Sequence, residues 1–302
     1  MGAARRLACA AALLAAACDR GAPPPPVPDG ERAFADLVAQ VECGPRPPGS
    51  PGAARARRHI LDQLSLGAHR VATQEFAIRD PYGADSLRLV NLQASFYLDR
   101  PVRVLLGAHY DTRPRADRDT GRARDLPILG ANDAASGVAV LLEVARALAV
   151  WDPGIGVDLV FFDGEDYGQE GDLEYYLMGS RHFARTMGSY RPRAMILLDM
   201  VGRRNQRIRV EGYSQQMAPE LVDVVFGVAE SLGVRSFVRE PGPAVVDDHV
   251  PFLRAGIPAI DLIDLDDPSW HTLADLPENC APESLADVAR VVLHSLARLA
   301  GR

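Results

Sequence analysis

The chain has 302 residues, 47% of them hydrophobic and 24% charged, a balance that fits a single globular domain of α/β size. With a net charge of −7 and no apolar run of the ~18 residues that a membrane span needs, nucleic-acid binding and a multi-pass membrane role are excluded. All 33 basic residues are arginine, which excludes lysine Schiff-base and lysine general-base chemistry, and the four cysteines show no CxxC spacing, so any metal must use oxygen and nitrogen ligands.

At the N-terminus, Arg5 and Arg6 precede an apolar run over 7–17, the length of a secretory h-region. The run ends Leu14-Ala15-Ala16-Ala17-Cys18, which resembles a bacterial lipobox with Ala15 where leucine is commoner. Residues 1–18 are therefore expected to be a signal peptide of lipoprotein type, with export to the periplasm or cell envelope. Cys18 is expected to be a lipid anchor and the chain's sole membrane contact, and ordinary signal-peptidase cleavage is the alternative. Residues 19–30, with prolines at 23–26, are expected to be a semi-rigid linker outside the core, leaving 31–302 as the folded domain. Cys43 and Cys280 are a candidate disulfide pair in an oxidising compartment, and two buried free thiols fit the sequence equally well.

Amphipathic patterns predict helices over 33–41 and 53–66, followed by β-rich runs over 71–78 and 87–97. Short continuous apolar runs at 102–108, 157–162, 194–198 and 259–263 read as strands buried on both faces, and helical patterns over 137–150, 218–232 and 284–299 separate or follow them. This alternation predicts an α/β fold: a three-layer, doubly wound, mostly parallel twisted sheet with helices on both faces, binding its ligand beyond the carboxyl ends of the strands. At that edge the runs release His109-Tyr110-Asp111, Asp163-Gly164-Glu165-Asp166 and Asp199, while the last leads toward Trp270-His271.

A catalytic zinc site combines three nitrogen or oxygen protein ligands with an open position, and Asp133, Asp166 and His271 are the candidates. Taken singly, Asp133 also reads as a helix cap, Asp166 as a solvated loop carboxylate and His271 as an ordinary polar residue. Their joint occurrence around successive buried strand ends favours the metal. The Arg- and Asp-rich segment 113–125 reads as an exposed flap.

Several segments resemble the M28 zinc peptidases and their glutaminyl cyclase relatives over about residues 31–300. They are Gly107-Ala108-His109-Tyr110-Asp111-Thr112, Gly130-Ala131-Asn132-Asp133-Ala134-Ala135-Ser136-Gly137, Phe162-Asp163-Gly164-Glu165-Asp166, Gly179-Ser180-Arg181-His182, Leu198-Asp199-Met200 and Ser269-Trp270-His271-Thr272. The resemblance implies that Asp133, Asp166 and His271 hold zinc and that Glu165 shuttles protons. It also makes His109 and Asp199 ligands of a second ion if the protein is a peptidase. Most M28 peptidases carry Glu-Glu where this chain has Glu165-Asp166.

The segment Asp247-Asp248-His249 resembles cyclases, because peptidases usually carry serine before Asp-His. Trp270 likewise resembles the aromatic wall around a glutamine side chain, although it also reads as a core aromatic, and Asp247 as a helix cap. The resemblance implies one zinc and a catalytic set of Glu165, Asp199 and Asp247, the two aspartates forming a hydrogen-bonded acidic pair. The expected reaction converts N-terminal glutamine of peptides or proteins to pyroglutamate with release of ammonia. The alternatives are an aminopeptidase with up to two zinc ions, in which Glu165 activates water, and a non-catalytic binding module.

Overall fold

The computed structural model describes residues 23–83, 85–169 and 171–301. The expected signal peptide, Cys18 and the start of the linker lie outside these residues. The end of the linker is docked: the Trp151 indole N–H donates to the Pro23 carbonyl at 2.8 Å, and the Asp29 carboxylate accepts from Arg32 N–H to cap helix α1 (Gly30–Glu42). Helix α2 (Pro51–Leu64) comes next, started by the Ser50 side chain as cap and by Pro51, whose missing N–H costs nothing in a first turn.

Strands β1 (Arg70–Arg79) and β2 (Ser86–Phe96) form an antiparallel hairpin, and β2 pairs antiparallel with β4 (Gly156–Phe162). From there β4, β3 (Arg103–His109), β5 (Ala194–Asp199) and β8 (Ala259–Ile263) run parallel, giving the order β1-β2-β4-β3-β5-β8. The six-stranded sheet is thus parallel where the apolar runs are continuous and antiparallel at one side. Both β4 and β5 are buried along their whole length. A separate parallel pair, β6 (Ile208–Val210) and β7 (Phe237–Pro241), was not anticipated from the sequence.

One helical layer is built by α3 (Ala135–Leu148) lying on β3 and β5, with α1 and α8 (Pro282–Ala300) packed around it and α6 (Pro219–Ser231) beside α8. On the remaining strands sit α4 (Met178–Thr186) over β2 and β4, and α7 (Val250–Arg254) against α4 and β8. Phe162, Phe183 and Phe252 join β4, α4 and α7, with the rings of Phe162 and Phe183 each centred 6.0 Å from that of Phe252. The short α5 (Gly212–Met217) precedes α6. On the other layer, a Cβ at Gly137 would lie 2.2 Å from the Leu198 carbonyl oxygen, so the glycine is what lets α3 approach β5 where Asp133 and Asp199 meet.

Cys43 and Cys280 are buried free thiols, so the disulfide alternative is not the one adopted. Among the described residues no helix is long and apolar enough to cross a membrane.

Candidate metal centre and active site

Each site residue is delivered by a strand end or by a loop pinned to one. Strand β3 ends on His109, and β5 ends on Asp199, followed by Met200 at a left-handed φ of 50°. Beyond β4, Gly164 turns the chain at φ 75°, and a Cβ there would stand 2.3 Å from the Leu89 side chain. The turn presents Glu165 and Asp166, whose backbone N–H groups donate to the two oxygens of Asp111 at 3.0 and 3.2 Å. The loop after β8 carries Trp270 and then His271, itself at φ 59°, a backbone region that concentrates at functional sites when held by its surroundings.

Asp133 does not cap α3: the cap position is Ala134 and no side chain occupies the cap. Instead, Asp275 accepts from the N–H groups of Asn132 at 2.7 Å and Asp133 at 3.0 Å, tying the Asp133 loop to the His271 loop. Similarly, Asp166 is buried rather than solvated, and Asp247 is buried without capping α7, whose cap position is His249.

Asp133, Asp166 and His271 converge. His271 Nε2 stands 3.7 Å from Asp133 Oδ2 and 3.5 Å from Asp166 Oδ2. Tetrahedral zinc with ligands at about 2.0–2.1 Å sets them roughly 3.3–3.4 Å apart, so the donor spacing suits that ion. Asp166 Oδ2 is buried without a hydrogen-bond partner, a position that a cation would satisfy. A second donor set shares Asp133: His109 Nε2 lies 3.2 Å from Asp133 Oδ1 and 3.2 Å from Asp199 Oδ1. The chain therefore offers donors for one or two ions, with Asp133 common to both.

Glu165 lies beside these sets, its Oε2 4.0 Å from His109 Nδ1. Burial, reinforced by the charge of neighbouring Asp166, raises its carboxyl well above the usual carboxylate range. Asp247 is raised in the same direction by burial and then by Asp199. Behind it, Asp261 has neither carboxylate oxygen hydrogen-bonded and is raised by burial and the charge of Asp247. Asp199 meets His109 at 3.2 Å; among the described residues no hydrogen bond joins Asp199 to Asp247 as the resemblance implied, but the charge of Asp199 reaches Asp247 and that of Asp247 reaches Asp261. Such crowding favours carboxyls that hold and pass protons.

Trp270 is half-buried and is not a core residue. Its ring centre is 4.2 Å from that of His271, and the Arg118 guanidinium lies over the indole at 4.1 Å. The segment expected to be a flap is only partly one. Residues 120–122 are exposed, whereas Arg113 is 1% exposed and faces Asp166, because an arginine neutralised by two carboxylates can be buried. Arg113, Asp117 and Asp275 were not assigned roles from the sequence. The available signals were the four-residue spacing of Arg113 and Asp117 beyond a strand end, and an acid four residues after His271.

Glu211 was also unassigned, and it anchors the segment carrying Asp247. It caps α5 by accepting from Tyr213 and Ser214 N–H groups, accepts from Val245 N–H at 2.8 Å, and stands 3.2 Å from His249 Nε2. Burial alone would raise this carboxyl, but the neighbouring His249 and the hydrogen bonds from Ser214 and Val245 lower it from 4.5 to about 2. Its stabilising contribution is present above pH 4.5 and is lost as the pH falls toward about 2. Urea denaturation across that window is expected to show a shallower acid loss for Glu211→Gln than for wild type, on a lower neutral-pH stability. Parallel curves would remove the linkage assigned to Glu211.

Residues 91–296 match Peptidase family M28. A glutaminyl-peptide cyclotransferase of Bos taurus is 30% identical over 283 residues, covering 82% of this chain and 76% of that one. Among solved structures, Porphyromonas gingivalis glutaminyl cyclase is 36% identical at TM-score 0.85, covering 90% of this chain and 99% of that chain. A Zn-dependent exopeptidase from Parabacteroides distasonis is 34% identical at TM-score 0.85, with the same 90% and 99% coverage. By the family match and the 30% identity to that cyclotransferase, the chain belongs to peptidase family M28, among relatives that include glutaminyl cyclases and exopeptidases.

Proposed function

We propose that the protein is a zinc-dependent glutaminyl-peptide cyclotransferase acting on peptides or proteins with a free N-terminal glutamine. The observation that carries this reading is Asp247, a carboxyl buried beside the Glu165 and Asp199 cluster and raised by that burial and then by the charge of Asp199, where it would extend the proton-carrying groups beyond Glu165. The glutaminyl cyclases among its relatives support it.

Asp133, Asp166 and His271 would hold one zinc ion, which when bound supplies a Lewis acid for the side-chain amide oxygen of the substrate. Trp270 would wall the glutamine side chain. The substrate α-amine nitrogen attacks the side-chain amide carbon, and the bond from that carbon to the amide nitrogen breaks. Glu165 takes the proton from the amine and delivers it to the departing nitrogen, which leaves as ammonia. Asp199 and Asp247 would steady Glu165 through this transfer. Ring closure is intramolecular, so holding the amine against the amide carbon supplies a large part of the rate.

The second donor set, His109, Asp133 and Asp199, favours one other reading, an aminopeptidase with two metal ions in which Glu165 activates water. The two are separated by the products of a glutaminyl dipeptide: ammonia for the cyclase, free glutamine for the peptidase. The basic start and apolar run of residues 1–18 support export to the cell envelope with a lipid anchor at Cys18.

A further inference from the structure

The segment after the His-Tyr-Asp turn reaches back under the proposed metal centre and links two of its ligands. Arg113 divides its guanidinium between two carboxylates: Nη1 donates to Asp166 Oδ1 at 2.5 Å, and Nε donates to Asp117 Oδ1 at 2.9 Å. Nη2 donates to the other Asp117 oxygen and to the Tyr176 hydroxyl, the latter at 2.9 Å. Asp117 Oδ1 in turn stands 3.5 Å from His271 Nδ1. His271 Nε2 then faces Asp166 Oδ2 at 3.5 Å, which completes a circuit of Asp166, Arg113, Asp117 and His271 around the place where the donors converge.

We infer that Arg113 and Asp117 are positioning residues that fix how the metal is held, an inference that rests on the metal site proposed above. Arg113 occupies Oδ1 of Asp166 and leaves only Oδ2 to the ion, so Asp166 binds through one oxygen. Asp117 faces Nδ1 of His271 and would accept a proton held there, which would select the tautomer whose Nε2 lone pair points inward and make that nitrogen a stronger donor. The arrangement also suits aspartate at position 166, where most M28 peptidases carry glutamate. The guanidinium holds the shorter carboxylate in place from behind.

The test is zinc affinity of the metal-free full chain, measured by competition with a chromophoric chelator, together with the visible spectrum of the cobalt-substituted protein. Asp117→Asn preserves volume and is expected to weaken zinc binding by about 10–100-fold. Arg113→Met is expected to change the cobalt spectrum as Asp166 gains a second oxygen contact. Should Arg113→Met fail to fold, Asp117→Asn and the double variant Arg113→Met with Asp117→Asn, which removes both charges together, carry the test. Tight wild-type binding with unchanged affinity in Asp117→Asn would overturn the circuit alone. Wild-type protein that takes up no zinc would overturn the metal site itself, so the two failures are distinguishable.

Discussion

Glu165→Gln is expected to lower turnover by about 10²–10⁴-fold while leaving bound zinc and substrate KM nearly unchanged. Glutamine matches the shape of glutamate but cannot take up and release a proton. Its backbone position is set independently, by the Asp111 oxygen that accepts its N–H at 3.0 Å, so the substitution leaves the turn after β4 intact. Burial and the neighbouring Asp166 hold the Glu165 carboxyl well above its ordinary range, the direction of shift that suits a proton carrier. Steady-state kinetics with metal analysis check this. A variant that keeps its kcat, or that loses zinc along with activity, contradicts the assignment of Glu165 as shuttle rather than ligand.

Asp133→Ala is expected to have the second large effect, because the two donor sets share Asp133. Its Oδ2 faces His271 Nε2 at 3.7 Å and its Oδ1 faces His109 Nε2 at 3.2 Å, so one substitution removes a donor from each. Activity should fall to background, and the dialysed variant should carry no zinc. Thermal denaturation gives a readout that needs no turnover. An ion present at 100 times its Kd stabilises a folded protein by about 2.7 kcal/mol, so added zinc should raise the melting temperature of wild type and not of the variant. Equal zinc-dependent stabilisation of both proteins would move the ion elsewhere.

Much of this architecture can be read from the chain because buried parallel strands are continuous apolar runs, and the residues just beyond each run lie at one edge of the sheet. The strands ending at His109, Phe162 and Asp199 lie within a residue or two of their expected bounds, and 259–263 coincides with β8. The direction of β1 and β2 was not legible, since alternating exposure in a hairpin says nothing of which strand it pairs with. Nor were the short elements β6, β7, α5 and α7, each only a few residues long.

At the site, the residues with metal-type or acid–base side chains were visible, and those that hold them were not. Arg113 and Asp117 read as solvated because charge-rich segments usually are, yet each neutralises the other inside the fold. Asp275 supports Asp133 across 142 residues of sequence, a pairing that only the fold brings about. Glu211 similarly holds the Asp247 segment through backbone N–H groups, which carry no residue signature.

The relation of Glu165 to the proposed zinc ligands is common to both chemistries open to this family, so the decisive measurement is of products. Metal-replete protein incubated with a glutaminyl dipeptide should release ammonia in step with formation of the pyroglutamyl dipeptide, and Glu165→Gln should abolish both. Free glutamine appearing in place of ammonia would make the protein an aminopeptidase and contradict the cyclase reading.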